Sequence, residues 1–157
     1  NYPNGCHICE VEVDAETGNL EIVGFAAADD CGNVLNPLIV HGQVHGGVAQ
    51  GIGQALTENL VYDEENGQLL TGTFMDYGMP RAKHFPHMKA VFCPTPSTNN
   101  ELGVKGAGEA GCCGAPTALV HAVLDALKPL GVEHIDMPLT PNRVWRAIEN
   151  AKTKGAA

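Results

Sequence analysis

The sequence is poor in basic side chains and in aromatic side chains. Its 157 residues include 9 lysines and arginines against 18 aspartates and glutamates, so the formal net charge is −9. Binding to nucleic-acid phosphates requires clustered positive charge, and we therefore expect no nucleic-acid partner. Aromatic residues make up only 5% of the chain, whereas glycine occurs 19 times. This composition predicts close backbone packing or ligand contact in place of a core of bulky side chains.

The sequence shows no long hydrophobic run, and no signal-peptide pattern is visible in it. No apolar stretch approaches the roughly 20 residues that a membrane-spanning helix needs. The opening NYPNGCHICEVEV has neither the basic start nor the apolar segment of a signal peptide. We therefore expect a cytoplasmic protein without a membrane partner. The length of 157 residues and the hydrophobic content of 44% suit one globular domain with its own core.

No group of cysteines and histidines has the spacing of a metal site. The six cysteines do not resemble a secreted disulfide framework, and we expect reduced thiols. Cys6 and Cys9 form a CxxC without a second ligand pair, and residues three apart in a strand point to opposite faces. His41 and His45 have helical i, i+4 spacing, but the intervening GQV lacks the glutamate of HExxH. The sequence therefore predicts no metal held by protein ligands.

Alternating and turn-forming segments predict a β-sheet. Residues 6–28 are expected to form a hairpin around DAETGN, with Gly18 and Asn19 as the candidates for positive φ. A second hairpin is expected over residues 60–77 around an ENG turn, followed by a strand near 88–93.

Helical periodicity predicts three helices, at about 37–58, 116–128 and 142–151. Asn36 is a suitable N-cap for the first of them, and Pro116 suits the first turn of the second. The buried residues expected in the last helix are Val144, Trp145 and Ile148. Residues 152–157 are expected to fray.

The first predicted helix is rich in glycine, with Gly42, Gly46, Gly47, Gly51 and Gly53. Each costs roughly 0.8–1 kcal/mol of helix stability relative to alanine. Close approach of another backbone or of a flat ligand would offset this cost, and the sequence leaves both open. Gln43 lies among these glycines, and its amide offers donors and an acceptor to a polar ligand.

A single carboxylate stands in a glycine-rich run before the second predicted helix. Glu109 follows Gly106, Ala107 and Gly108 in the segment VKGAGEAG. This arrangement can aim a base at a ligand that backbone N–H groups hold, although a solvated glutamate in a flexible connection has the same pattern. GAGEAG also satisfies the GxGxxG of a dinucleotide-binding module, but that fingerprint requires a preceding strand, and STNNELGVK is a poor one.

Three segments together resemble a known family: VKGAGEAG, then CGNVLNPLIVHGQVHGGVAQGIGQAL at 31–56, and MPLTPNRVWRAI at 137–148. They are similar to the active-site glutamate segment, the pterin-contacting helix and the C-terminus of the molybdenum hydroxylases. That family includes xanthine oxidase, aldehyde oxidoreductase and aerobic carbon monoxide dehydrogenase. The resemblance implies an α+β fold in two layers, in which a mixed β-sheet is covered by helices, as in a molybdenum-cofactor-binding domain.

The resemblance also implies a chemistry: a molybdenum-dependent oxidoreductase that hydroxylates a carbon centre of a small molecule with oxygen derived from water. Glu109 would be the general base. Gln43 would contact a molybdopterin-type cofactor, which can carry a cytosine dinucleotide, and the backbone from Lys105 to Gly108 would line it. The cofactor's own dithiolene would hold the metal. Purine, aldehyde, N-heterocycle and carbon monoxide chemistries share these segments, so the substrate stays open.

Members of the family have a considerably longer molybdenum-binding subunit. The resemblance therefore implies that residues 1–157 are the C-terminal portion of a molybdopterin-binding domain, either a fragment or one part of a split subunit. The expected partners are the remainder of the molybdenum subunit, an iron–sulfur subunit and a flavin subunit with FAD. The chain alone is expected to be inactive. A hypothesis from a different class is a non-catalytic assembly module that supports a neighbouring subunit.

Overall fold

The β-sheet of this protein is mixed and has three strands. The computed structural model describes residues 1–155, with strands β1 (Asn4–Val13), β2 (Leu20–Asp30) and β3 (Met88–Phe92) in the order β1-β2-β3. β1 and β2 are antiparallel, whereas β3 is parallel to β2. Helices α1 (Pro37–Leu56), α2 (Ala110–Leu127) and α3 (Pro141–Gly155) complete the fold. The expected α+β class with a mixed sheet and covering helices is confirmed.

The first hairpin forms as predicted, and the second does not. Gly18 has φ 72° in the turn between β1 and β2, while Asn19 does not take a positive φ. Residues 60–77 contain one isolated bridge, between Tyr62 and Leu69, and then turns. Two strands without a third strand or a covering helix are marginal in water. This segment has no such support, since Phe74 is 87% exposed and Met75 is 93% exposed.

The start of α2 differs from the prediction. α2 begins at Ala110, so Pro116 lies inside the helix and not in its first turn. A proline inside a helix has no N–H to donate to the carbonyl four residues earlier, here that of Cys112. The proline ring and this carbonyl fit because Gly51 of α1 has no side chain: a Cβ on it would lie 2.8 Å from Pro116 Cδ. α2 can therefore start six residues early.

The last helix is longer than predicted. α3 continues to Gly155, so the prediction that the chain frays from residue 152 is wrong for residues 152–155. Residues 156–157 lie outside the described part of the chain. Thr140 Oγ1 accepts from the N–H of Arg143 at 3.4 Å at the start of the helix. Val144 and Ile148 are fully buried as expected, whereas Trp145 is 40% exposed, because its position turns away from the core.

Glycines allow α1 and α2 to approach backbone to backbone. A Cβ on Gly47 would lie 2.9 Å from the N atom of Cys112, and a Cβ on Gly111 would overlap the carbonyl oxygen of Val44. Of the two explanations for the glycine-rich helix, close backbone approach therefore applies to Gly47 and Gly51. Gly42 and Gly46 are different, since a Cβ on either would meet nothing within 4 Å.

One stretch within residues 1–155, Ala110–Leu130, is as long and apolar as a membrane-spanning helix, contrary to the expectation from sequence. Its residues Leu119, Val123 and Leu127 are buried in the core of the fold, together with Val44 and Ile52 of α1. A helix in the core of a soluble protein can have the same length and apolar composition, and the packing of these residues accounts for the apolar stripe.

Alanine substitutions at neighbouring glycines should have opposite effects. Gly47→Ala should lower the free energy of unfolding by about 1–3 kcal/mol, because backbone atoms that cannot move aside occupy the space. Gly46→Ala, one residue away, should raise it by up to about 1 kcal/mol, since the position is open and alanine favours the helix. Urea unfolding of the two variants measures both effects. Equal effects of the two substitutions would contradict the close approach of α1 and α2.

Candidate functional site

The loop that carries Glu109 is anchored by an ion pair at its start. Lys105 Nζ lies 2.6 Å from Asp30 Oδ2, and the two side chains are only 14% and 10% exposed. The backbone N–H of Lys105 also donates to the carbonyl oxygen of Cys31, at 2.9 Å. The ammonium and the backbone N–H of Lys105 therefore both bind groups at the end of β2.

Asp30 has a complete set of hydrogen bonds. Its Oδ1 accepts from the N–H groups of Gly32 and Thr95, each at 2.9 Å. Its Oδ2 accepts from Asn4 Nδ2 at 3.4 Å in addition to Lys105. The Lys105 ammonium, followed by the N–H groups of Thr95 and Gly32, holds the pKa of the Asp30 carboxyl well below its ordinary value of 3.8. One carboxylate thus joins the end of β2, the N-terminal segment and the loop before Glu109.

A cleft of about 830 Å³ opens beside this loop. Gly106, Ala107, Gly108 and Glu109 form one wall, and the remaining walls come from residues 1–5, from β1 and β2, and from α2. Glu109 is exposed, stands at the N-cap position of α2 and makes no capping bond with its side chain. The carboxylate is therefore available to a molecule in the cleft.

Gln43 lies next to the same loop. A Cβ on Gly108 would be 3.7 Å from Gln43 Oε1, and the Gln43 side chain is exposed. Neither Gln43 nor Lys105 lines the cleft itself. The structure thus brings Gln43 beside the Gly106–Glu109 loop, whereas Lys105 is placed beneath the loop as its anchor.

These residues fit the pterin that the sequence resemblance implies. The open space at Gly42 and Gly46 leaves the helix surface beside Gln43 free for a flat ring. The N–H groups of Ala107 and Gly108 donate to no acceptor among residues 1–155. A polar ring edge could accept from them and from the Gln43 amide.

Sequence reasoning missed two polar residues of the cleft. His7 of β1 and Asp29 of β2 line it, and His7 Nε2 lies 3.1 Å from Asp29 Oδ1. In the sequence, His7 looks like an exposed residue of a strand, and Asp29 looks like part of a polar connection. The signal available was the alternation of β1, which places His7 on the same face as Cys9 and Val11.

Comparison with known proteins identifies a family that this chain resembles. Residues 1–86 match the family model of the molybdopterin cofactor-binding domain. The carbon monoxide dehydrogenase large chain of Hydrogenophaga pseudoflava is 39% identical over 148 residues, which are 94% of this chain and 18% of that protein. The nicotine 6-hydroxylase large subunit of Paenarthrobacter nicotinovorans is 43% identical over 148 residues, again 94% of this chain and 18% of that protein.

A solved structure shares the fold. Quinoline 2-oxidoreductase from Pseudomonas putida 86 superposes with a TM-score of 0.89 and 44% identity, over 94% of this chain and 19% of that one. The chain thus spans about a fifth of the length of the relatives it matches.

Replacement of Asp30 should make the fold less stable and less sensitive to acid. The lowered pKa means that this carboxylate stabilises the folded state fully above its ordinary value of 3.8, and that the contribution is lost as the pH falls below it. Asp30→Asn should lower the melting temperature at pH 6 and reduce its further fall between pH 5 and pH 3. Glu149→Gln, which breaks the exposed pair with Lys152, is the control and should change little. Identical pH profiles for Asp30→Asn and the unaltered protein would refute this role.

Because the family model matches more than half of the chain, and the fold agrees with that of solved relatives, the chain belongs to the molybdopterin cofactor-binding domain family of the molybdenum hydroxylases.

Proposed function

We propose that this chain supplies the general base and part of the pterin-binding surface of a molybdenum-containing hydroxylase, which oxidises a carbon centre of a small molecule with oxygen derived from water. The observation that carries the proposal is the position of Glu109. Its exposed carboxylate borders a cleft of about 830 Å³ on a loop that a buried ion pair anchors.

Glu109 would accept a proton at a carboxylate oxygen. When bound, the molybdenum cofactor supplies a metal that activates water and takes up the electrons of the oxidation. The glycines on either side of Glu109 let a ligand approach the loop closely, and Glu109 itself stands at the start of α2. Lys105 and Asp30 keep the loop in place while the proton moves.

Gln43 and the loop backbone would hold the pterin. The Gln43 amide can pair with both donors and acceptors of the ring edge, and the N–H groups of Ala107 and Gly108 point to a second contact. The N–H of Gly106 donates to the carbonyl oxygen of Asn1 at 3.3 Å, the backbone N–H of Lys105 donates to Cys31, and its ammonium is paired with Asp30. Lys105 and Gly106 therefore contribute to the surface through the shape of the loop.

The proposal extends to an assembly. Two matched relatives are a large chain and a large subunit, and this chain covers 18% of each. We propose that the remainder of such a subunit completes the site, that the cofactor carries a cytosine dinucleotide, and that iron–sulfur and FAD-containing partners take the electrons. The setting we propose is cytoplasmic.

The dinucleotide-binding alternative lacks its structural context. Its GxGxxG must follow a strand, and GAGEAG here follows a loop in which Val104 makes only an isolated bridge to Gly32. The assembly-module alternative has one observation in its favour, the exposed apolar side chains of Phe74 and Met75. The two experiments below separate it from the hydroxylase, since an assembly module needs neither Glu109 nor Gln43.

Glu109→Gln in the complete molybdenum subunit tests the base. The substitution keeps the shape and removes the proton acceptor, so turnover should fall by about 10²–10⁴-fold. Molybdenum content and melting temperature should stay unchanged, because the side chain is exposed. Glu101→Gln, at an exposed carboxylate outside the cleft, is the matched control. Near-normal turnover of Glu109→Gln would end the assignment of the base.

Gln43→Ala tests the pterin contact. The molybdenum content of the purified subunit should fall by about tenfold, as expected for a lost hydrogen-bonded contact. The melting temperature of the fold should not fall, since Gln43 is exposed on α1. Gln50→Ala, at another exposed glutamine of the same helix, should retain its molybdenum. Full molybdenum content in Gln43→Ala would place the pterin elsewhere.

A further inference from the structure

The cleft beside Glu109 has a buried polar pair in its wall, His7 and Asp29. In the register of β1 and β2, Gly5 is opposite Asp29 and His7 is opposite Ala27. His7 and Asp29 are thus diagonal neighbours on one face of the sheet. Their side chains are 5% and 3% exposed, and the two are joined by the single contact of 3.1 Å between His7 Nε2 and Asp29 Oδ1.

Two glycines make room for this pair. A Cβ on Gly5 would overlap Asp29 Oδ1, and a Cβ on Gly114 of α2 would overlap His7 Nδ1. The ring of His7 also meets the edge of Phe25, with centroids 5.8 Å apart. Packing from three sides therefore holds both side chains in one arrangement.

The pair is incompletely hydrogen-bonded. Asp29 Oδ2 and His7 Nδ1 are buried and have no partner within residues 1–155. A carboxylate that is removed from water normally has several donors, because a buried charge without them is costly. Asp30, the next residue, shows the difference, since Lys105, Gly32, Thr95 and Asn4 all donate to it.

Two adjacent carboxylates at the end of β2 therefore have different tasks. Asp30 is saturated by the protein and anchors the loop. Asp29 lines the cleft, and its buried Oδ2 has no partner among residues 1–155. Buried polar atoms without partners in a folded protein require an explanation, and a ligand that supplies the missing bond is one.

We propose that Asp29, oriented by His7, is an anchor for an N–H donor on the edge of a flat ring that occupies the cleft. The proposal rests on the proposed function, because it places this ring beside Glu109. The loop and helix walls are small and smooth, with Ala107, Gly108 and Ala118. Such walls admit a planar group, and Asp29 Oδ2 accepts only from a donor.

Two sources can supply this donor chemistry, the pterin of the cofactor and the reacting molecule. The test uses the complete molybdenum subunit with its partner subunits and the substitution Asp29→Asn. The amide can still accept from His7 Nε2, but it then presents NH₂ to the cleft in place of an acceptor. Asp136→Asn is the matched control, since Asp136 forms a pair of the same length, 3.1 Å, with His134 in full exposure.

Two readouts that do not require turnover distinguish the sources. The first is the molybdenum content, which should fall by about tenfold or more if the donor belongs to the pterin. The second is the affinity for benzimidazole compared with 1-methylbenzimidazole, which lacks the N–H. If the donor belongs to the reacting molecule, Asp29→Asn should weaken benzimidazole binding by about 10- to 100-fold and leave the methylated probe unchanged.

Either loss, with the control unaffected, supports the anchor. Unchanged molybdenum content together with unchanged affinities for both probes overturns it. If Asp29→Asn fails to fold, the structure of the unaltered holoenzyme with benzimidazole decides. An N–H of the pterin or of the probe within about 3 Å of Asp29 Oδ2 supports the proposal, and a protein group or water in that place overturns it. None of these results depends on whether Glu109 is the base, which its own variant tests separately.

Discussion

The ion pair between Lys105 and Asp30 is the contact on which the site depends. Strand β2 ends at Asp30, and the loop toward Glu109 starts at Lys105, 75 residues later in the chain. A buried charge without its partner is strongly unfavourable, so the pair either forms with its full set of donors or the fold is disturbed. It therefore places a flexible glycine-rich loop at a definite point of a rigid sheet.

Glycine has two separate uses in this fold. Gly47, Gly51 and Gly111 bring α1 and α2 together at backbone distance, and this contact explains why a protein with few aromatic residues still has a closed core. Gly42 and Gly46 lie on the open side of α1, where packing does not require them. The proposed pterin surface accounts for Gly42 and Gly46. The helix tolerates the loss of stability that these two glycines cause, because Gly47, Gly51 and Gly111 secure its packing against α2.

The two carboxylates at the end of β2 show how neighbouring residues of the same type acquire different chemistry. Asp30 accepts from the backbone N–H groups of Gly32 and Thr95 and from the Lys105 ammonium, which together satisfy it. Asp29 points to the opposite face of the strand, and among residues 1–155 its side chain forms a hydrogen bond with His7 alone. Alternation along the strand thus separates an anchor from a group with a free acceptor.

Local patterns in the sequence determined the elements whose causes are local. The turn at Gly18, the cap at Asn36, the bond of Thr140 to the first turn of α3 and the position of Glu109 before a helix all depend on residues within a few positions. Gln43 is a candidate ligand contact because the family resemblance adds information that helical periodicity does not contain.

Only the tertiary structure decided the features that depend on distant residues. The hairpin predicted for residues 60–77 did not form, because a two-stranded ribbon needs a third layer that this segment lacks. α2 could include Pro116 because Gly51 of another helix leaves room for its ring. The His7–Asp29 pair and the Lys105 anchor join residues 22 and 75 positions apart. Such contacts form only when the sheet and the helices have packed, and no local pattern in the sequence encodes them.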